Sequence, residues 1–349
     1  MAYTDIDKPD DYFNGLAYTG TNTSTSYNNG LDMSTNGGLV WLKVRNAAGD
    51  HGLFDSVRGA TKRLQSNQTS AEDTLSGLTS FDSTGFTLGT AYNDTPYTFM
   101  SWSWLGGGTA SSNTDGSITS TVSANTTAGF SIVSYTGTGS NATVGHGLSS
   151  APKVLIIKRR DSATNGDWNV YHDSLGTDGY IYLNLTDAKG TSTSVWQNTA
   201  PSSSVFSIGG GVGPNITSGA TYIAYCFAEK KGFSKFGSYT GNGNADGTFV
   251  YTGFKPAWVM VKNTAISSAW VLSDNKRETF NPVEKFLRPN TSDAEVTGDS
   301  SGWTIDMLSN SFKLRSTGNG VNGSGNSIIY MAFAENPFVT STGIPTTAR

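Results

Sequence analysis

Aspartate and arginine recur at one spacing in this chain, in Asp55-Ser56-Val57-Arg58 and again in Asp274-Asn275-Lys276-Arg277. Each is followed by a matching Asn-x-x-x-Ala-Glu, at Asn67/Ala71/Glu72 and at Asn290/Ala294/Glu295. Such carboxylates and guanidiniums could hold a sugar or an ion. The same groups also make a turn-capping Asp with an Arg paired to it. The structural use is expected here, because the corresponding Tyr171-His172-Asp173 has no Arg. The histidines His51, His146 and His172 stand in no H-x-H or H-E-x-x-H spacing. No G-x-S-x-G elbow occurs, and no pair of carboxyls is recognisable as facing across a sugar. Gly209-Gly210-Gly211-Val212-Gly213 has the look of a phosphate loop, but Pro214-Asn215-Ile216-Thr217 opens no helix whose dipole would hold a phosphate. A hairpin loop is expected there. Asp5, Asp7, Asp10 and Asp11 lack the glycine and terminal glutamate of a calcium loop. Trp168, Trp196, Trp258, Trp270 and Trp303 could stack on sugars, yet Trp168 and Trp270 share one repeat position and read as core. No catalytic, cofactor-binding or metal-ligating residue is therefore assigned, and no receptor-binding residue can be named.

The elements that carry these residues come in triplicate. Tyr-Thr-Gly opens a unit at Tyr18, Tyr135 and Tyr239. An apolar strand ending in lysine follows: Leu39-Val40-Trp41-Leu42-Lys43, Val154-Leu155-Ile156-Ile157-Lys158 and Trp258-Val259-Met260-Val261-Lys262. A Phe-x-aliphatic strand comes next, at Phe86-Thr87-Leu88, Phe206-Ser207-Ile208 and Phe312-Lys313-Leu314. Each unit closes on an apolar strand, Trp102-Ser103-Trp104, Tyr225-Cys226-Phe227 or Met331-Ala332-Phe333. The three lysines stand roughly 115 and 104 residues apart, a period of small domains rather than of solenoid repeats of ~20–50 residues. The fold class expected is all-β: three tandem antiparallel β-sandwich, jelly-roll-like domains related by internal repeat. Trp41, Ile156 and Met260 should occupy equivalent core positions, with damage at buried sites confined to one unit if the cores are independent. Their sharing a pseudo-threefold axis is the alternative.

The expected divisions are an N-terminal arm over 1–17, unit one over 18–105, and a Gly/Ser/Thr linker over 106–129. Unit two then covers 130–231, unit three 232–338, and an extended tail 339–349. Gly106-Gly107-Gly108 reads as a flexible joint, although Ile118 and Val122 could form one short exposed strand. Units two and three, joined by a shorter connection, should be held more firmly together than units one and two. Strands of unit two are expected at 130–135, 153–159, 168–172, 180–185, 204–208 and 221–229, with another at 235–239. Ser70-Ala71-Glu72-Asp73-Thr74-Leu75 is the best helical candidate.

Composition agrees with β structure. The chain has 42 glycines in 349 residues and 14% charged residues, against a usual ~25% charged. Aromatic residues at 11% and hydrophobic residues at 36% are ample for cores. A net charge of −4 argues against nucleic acid as a partner. Lys158-Arg159-Arg160, answered by Asp161, reads as a solvated turn. Cys226 is the single cysteine, so no intramolecular disulfide is possible, and its mid-strand place suits a small hydrophobe. Met1-Ala2-Tyr3-Thr4-Asp5 carries no basic or apolar leader, and no run has the ~18 apolar residues of a membrane span. Synthesis in a reducing cytoplasm, with no membrane insertion, is expected.

His51-Gly52-Leu53-Phe54-Asp55-Ser56-Val57-Arg58-Gly59, Leu78-Thr79-Ser80-Phe81 and Gly85-Phe86-Thr87-Leu88-Gly89 form a distinctive pattern. Val144-Gly145-His146-Gly147-Leu148 through Ala151-Pro152-Lys153, Trp168-Asn169-Val170-Tyr171-His172 and Tyr330-Met331-Ala332-Phe333-Ala334-Glu335-Asn336-Pro337-Phe338 belong to it too. Together these segments resemble a family of repeat-bearing proteins of marine tailed bacteriophages. Asn36-Gly37-Gly38 departs from it, standing where a Pro usually precedes the Trp-Leu-Lys strand. The resemblance implies a virion component, tail- or fibre-associated, and brings no catalytic residues or cofactor with it. The expectation is a non-enzymatic structural protein of the virion surface, made in the bacterial cytoplasm, in a tail fibre or appendage contacting the host. Capsid decoration and a polysaccharide-degrading tail spike are the alternatives. Expected partners are other virion proteins reached through the N-terminal arm, host-surface glycan or protein, and further copies of the chain, a homotrimer being favoured. The arm has too few apolar residues to fold alone, so its removal should leave thermal unfolding unchanged.

Overall fold

Leu39-Val40-Trp41-Leu42 and its two counterparts are apolar at every position rather than at alternate ones. A strand of that kind must be buried on both faces. The computed structural model describes residues 3–211, 213–298 and 302–346 and meets that requirement three times. Each lysine-bearing strand (Gly38–Val44, Val154–Arg159, Phe254–Asn263) lies inside an antiparallel sheet. Its order is always opening strand, closing strand, lysine strand, following strand. The opening strands are Phe13–Thr19, Phe130–Thr136 and Ser234–Thr240; the closing strands are Thr98–Leu105, Thr221–Phe227 and Ser327–Pro337. Register is common too: Trp41 faces Trp102, Ile156 faces Tyr225, and Met260 faces Met331. The described residues include only two α-helices, Met33–Asn36 and Asn319–Asn322, and no helix is long and apolar enough to cross a membrane.

Alternation along the lysine strands sorts their side chains into two cores. Val40 and Leu42 turn outward with Phe86 and Leu88, Leu155 and Ile157 with Phe206 and Ile208, and Val259 and Val261 with Phe312 and Leu314. Each set is the interior of one sandwich, closed by a second sheet that carries the Phe-x-aliphatic strand. The opposite faces, Leu39/Trp41, Val154/Ile156 and Trp258/Met260, belong to a single core common to all three units. At its centre stand Trp104, Phe227 and Phe333, which hold equivalent register positions on the closing strands, opposite Leu39, Val154 and Trp258. Their ring centroids are 6.2, 5.9 and 5.6 Å apart. The cores are thus joined, and the pseudo-threefold alternative describes the arrangement.

Several segments differ from the sequence reading. The opening strand of unit one starts at Phe13, inside the segment read as an arm, and Phe13 and Ile6 are buried in the shared core. Ahead of it, Thr4 Oγ1 donates to the Lys231 carbonyl (2.7 Å), and Asp7 accepts from the Ser341 amide and hydroxyl (2.6 Å each). The arm is ordered by its own chain, so its removal must cost stability. Met1 and Ala2 lie outside the described residues, as do residues 347–349 of the tail.

The linker is folded as well. Ser111–Asn113 and Ser120–Asn125 extend the sheet of unit two, and Ile118 and Val122 are buried in its core rather than exposed. The triple glycine is clamped: Gly106 and Gly108 donate to the Gly37 and Asn36 carbonyls, and Gly107 to Ser123 Oγ. A Cβ on Gly107 would lie 1.9 Å from the Ala124 carbonyl oxygen. Glycine is there for close approach rather than flexibility. Unit two also has a strand that was not anticipated, Ala142–Gly145. Ser70–Leu75 is not helical, because Asp73–Thr74 pairs with Lys62–Arg63 and the Glu72 amide bonds to the Arg160 carbonyl.

A joined core makes the stability of the units inseparable. Phe333→Ala, in unit three, should lower the stability of the whole chain by about 3–5 kcal/mol. Calorimetry should still show a single transition. A second, unshifted transition from units one and two would show that their cores are independent.

Candidate functional site

Three sheets packed face to face leave polar backbone at the rims of the seam, and those groups need partners. The chain supplies them cyclically, each unit bonding to the one before it. The residue preceding the following strand is His51, Trp168 or Trp270. His51 Nε2 lies 3.1 Å from the Arg288 carbonyl of unit three. Trp168 Nε1 donates to the Gln65 carbonyl of unit one (2.8 Å), and Trp270 Nε1 to the Tyr182 carbonyl of unit two (2.9 Å). An asparagine holds each of these residues by its amide: Asn67, Asn184 and Asn290 accept from His51, Trp168 and Trp270 at 3.1, 2.9 and 2.9 Å. Asn67 and Asn290 were visible as a repeated motif. Asn184 was not, because Ala188 follows it at the same offset but Lys189 stands where Glu72 and Glu295 complete the motif.

The three repeat lysines are fully buried, although lysine is seldom buried without a paired charge. Each ammonium donates to one carbonyl of its own unit and one of the preceding unit. Lys43 bonds Val44 O and Ser292 O (2.9 and 3.3 Å), Lys158 bonds Arg159 O and Thr69 O (2.7 and 3.0 Å), and Lys262 bonds Ser268 O and Thr186 O (2.7 and 3.0 Å). None of the three makes an ion pair among the described residues. Burial pushes each of them down to about 8, against a smaller upward pull from nearby aspartates.

The repeated Asp-x-x-Arg motif builds two of the three junctions. Asp55 caps its turn by accepting from the Val57 and Arg58 amides and pairs with Arg58 Nε at 2.5 Å. Arg58 also reaches Glu72 (3.2 Å), and Glu72 receives a two-pronged bond from Arg160 of unit two (2.9 and 3.0 Å). The Tyr225 hydroxyl of unit two donates to Asp55 (2.8 Å). In unit three, Asp274, Arg277 and Glu295 repeat the pattern, with Arg45 and Trp102 of unit one in the places of Arg160 and Tyr225. Burial works to raise the Glu295 carboxyl, but Arg45 and Arg277 overcome it and hold it below the ordinary value.

At the third junction His172 stands where Asp55 and Asp274 stand, and its Nε2 lies 3.1 Å from the Tyr330 carbonyl. Among the described residues, units two and three therefore share no such charged network. Lys158-Arg159-Arg160 is likewise no solvated turn: Lys158 is buried, Arg160 crosses to unit one, and Arg159 alone pairs with Asp161 (3.0 Å).

Other residues flagged in the sequence remain apart. His51, His146 and His172 are buried in separate places, and burial lowers all three, His51 to about 3 and His172 to about 4. No group of three or more His, Cys, Asp or Glu side chains suited to a metal occurs among the described residues. Trp168, Trp196, Trp258, Trp270 and Trp303 are all buried and present no outer stacking face. In the glycine-rich loop, the Gly209 amide bonds to the Val195 carbonyl and a 3₁₀ turn covers Gly213–Asn215; Val212 lies outside the described residues. Cys226 is buried in the core of unit two.

Exposed aromatic side chains went unnoticed in the sequence. Phe249, Tyr251 and Phe280 of unit three are exposed, Tyr97 of unit one less so, and Tyr3 and Phe338 flank the termini; unit two presents none among the described residues.

This chain belongs to the family described as Domain of unknown function (DUF7483), whose model matches residues 8–337. No curated protein and no solved structure matches the chain.

The buried lysines give stability a distinctive pH dependence. Their folded pKa lies below the unfolded value of ~10.4, so between about pH 8 and 10.4 the unfolded chain holds more protons than the folded one. Stability should rise with pH through that window. The rise should end near pH 10, where Tyr18, Tyr135 and Tyr225, raised by burial, begin to favour the unfolded chain. Melting temperature measured from pH 7 to 10.5 should climb and then turn over. Lys158→Met should lower stability by about 1–3 kcal/mol at pH 7 by orphaning two carbonyls, and should flatten the climb. A profile falling steadily from pH 7.5 would exclude buried cationic lysines.

Proposed function

We propose that this is a non-enzymatic structural protein of a bacteriophage virion, part of a tail fibre or tail appendage on the particle surface that contacts the host. The observation that carries the reading is the threefold arrangement inside one chain. Trp104, Phe227 and Phe333 occupy equivalent strand positions and meet in one core. A body built in this way offers nearly the same patch three times, which suits attachment to a symmetric assembly. It also has the form of a trimer without needing further copies, so a homotrimer is not part of the proposal. The resemblance to marine phage proteins supports the same reading. So does the use of the repeated charged motifs, which bind unit to unit. The N-terminal arm is bonded to its own chain and is not offered as the anchor.

A head-surface decoration protein is the second reading, favoured by the same threefold form, which would also seat on a threefold position of a shell. Immunogold labelling of purified virions separates the two. Label at the tail or its appendages is the expected result, label confined to heads would establish decoration, and virions without label would overturn both. A tail spike would release oligosaccharides from host envelope polysaccharide, and none is expected.

A further inference from the structure

The three units differ most where one of them is longer. After the following strand, the chain bridges back at Leu64 to Leu53 in unit one and at Ile181 to Val170 in unit two, eleven residues on in each case. In unit three the equivalent bridge joins Leu287 to Leu272, fifteen residues on. Four extra residues thus interrupt a connection that the other units keep short, and inserted loops on a rigid scaffold are where binding residues concentrate. The segment carries Phe280, whose ring is 81% exposed and so free to meet a ligand.

Phe280 borders an open groove of about 930 Å³, within the range of ligand sites, ~300–1,000 Å³. Buried Val283 and Met307 contribute apolar wall, and the rim is polar. On that rim Lys276 is exposed, and Lys255 pairs with Glu335 at 2.8 Å. Beside the groove, on a strand whose neighbour leads out of it, Tyr251 and Phe249 are 60% and 52% exposed.

We infer that this groove binds a neutral oligosaccharide. A pyranose has an apolar C–H face and a rim of hydroxyls that donate and accept. Phe280 supplies a flat surface for the first, while the Lys276 ammonium and the Lys255–Glu335 pair supply partners for the second. A protein partner would ask for a contiguous apolar centre, and inside the groove Phe280 is the one strongly exposed apolar side chain. Charge selects among sugars: Lys255 and Lys276 are balanced by Glu278 and Glu335, leaving no excess of cations for uronate or phosphate. The inference rests on the host-contact reading for the source of the sugar, and on the groove alone for its chemistry.

The test is binding of the full chain to an array of neutral hexose and N-acetylhexosamine oligosaccharides, with uronic-acid and phosphorylated counterparts alongside. Binding to a neutral member is expected, weakened at least tenfold by Phe280→Ala, largely kept by Phe280→Trp, and unaffected by Tyr97→Ala. The exposure of Phe280 means that all these variants should melt like the parent. No neutral ligand, preference for the anionic set, or full binding by Phe280→Ala would overturn the assignment. So would a virion protein that seals Phe280 in the assembled particle. Tail labelling without sugar binding would sink this inference alone, whereas sugar binding by a protein absent from virions would sink the virion reading alone.

Discussion

Three aromatic rings, Trp104, Phe227 and Phe333, decide how this chain is put together. Each holds the same register position on the closing strand of its unit, and each closing strand lies inside its sheet, hydrogen-bonded on both edges. Bringing the rings within 6.2 Å of one another therefore brings three whole sheets face to face. Tilted and edge-on contacts of this kind add about 0.5–1.5 kcal/mol each to the burial of the rings themselves. With the inner faces committed, the lysine strands have no solvent side left and must be apolar throughout. The outer sheets then close the second face of each sandwich.

A seam of this kind raises a polar problem at its rims, and the chain meets it with donors that require no opposing charge. Indole N–H groups and lysine ammoniums bond to main-chain carbonyls of the neighbouring unit. The cost of burying an ammonium appears in the depressed pKa of all three lysines. Two junctions add Asp, two Arg and Glu, a set in which every member has its partner; a buried pair left incomplete would be strongly destabilising. Removing the whole set is tolerable where removing one member is not. The junction of units two and three has done so: imidazole stands in place of Asp, Lys189 occupies the Glu72/Glu295 position by its amide bond to the Thr264 carbonyl, and Met331 stands opposite in place of Trp102 and Tyr225.

Much of the fold was legible because its determinants are local. Double-faced burial shows as an unbroken apolar run, and the Phe-x-aliphatic pattern shows an inward-facing strand, so the recurrence of the strands and the equivalence of Trp41, Ile156 and Met260 could be read from three aligned copies, whereas their pairing could not. Errors fell where the deciding partner lies far along the chain. Gly106-Gly107-Gly108 has the composition of a hinge, and only Ala124 and Ser123 make it a close contact. Lys158-Arg159-Arg160 has the composition of a surface turn, and only Thr69 and Glu72 make it an interface. The arm is poor in apolar residues, and only the distant Lys231, Phe233 and Phe333 give it a surface to pack on. The outer aromatics, Phe249, Tyr251 and Phe280, were indistinguishable from core residues until their exposure was known.

The seam also constrains where the units can diverge. A change at an inner position is felt by all three sheets, since the core is one, so tolerated change is pushed outward to the connections and second sheets. Unit two uses that freedom to extend its sheet by two strands at each edge, covering the outer edge of its opening strand. Among the described residues, unit three leaves the equivalent edge without such strands and lengthens the connection behind Asp274 instead, on the side where its outer sheet turns between Leu308 and Ser311. An extra loop there disturbs neither the aromatic centre nor the carbonyl bonds of the lysines, because both lie on the opposite face of the sheet. Three copies of one sandwich thus provide a rigid frame and, in one copy, a surface free to vary.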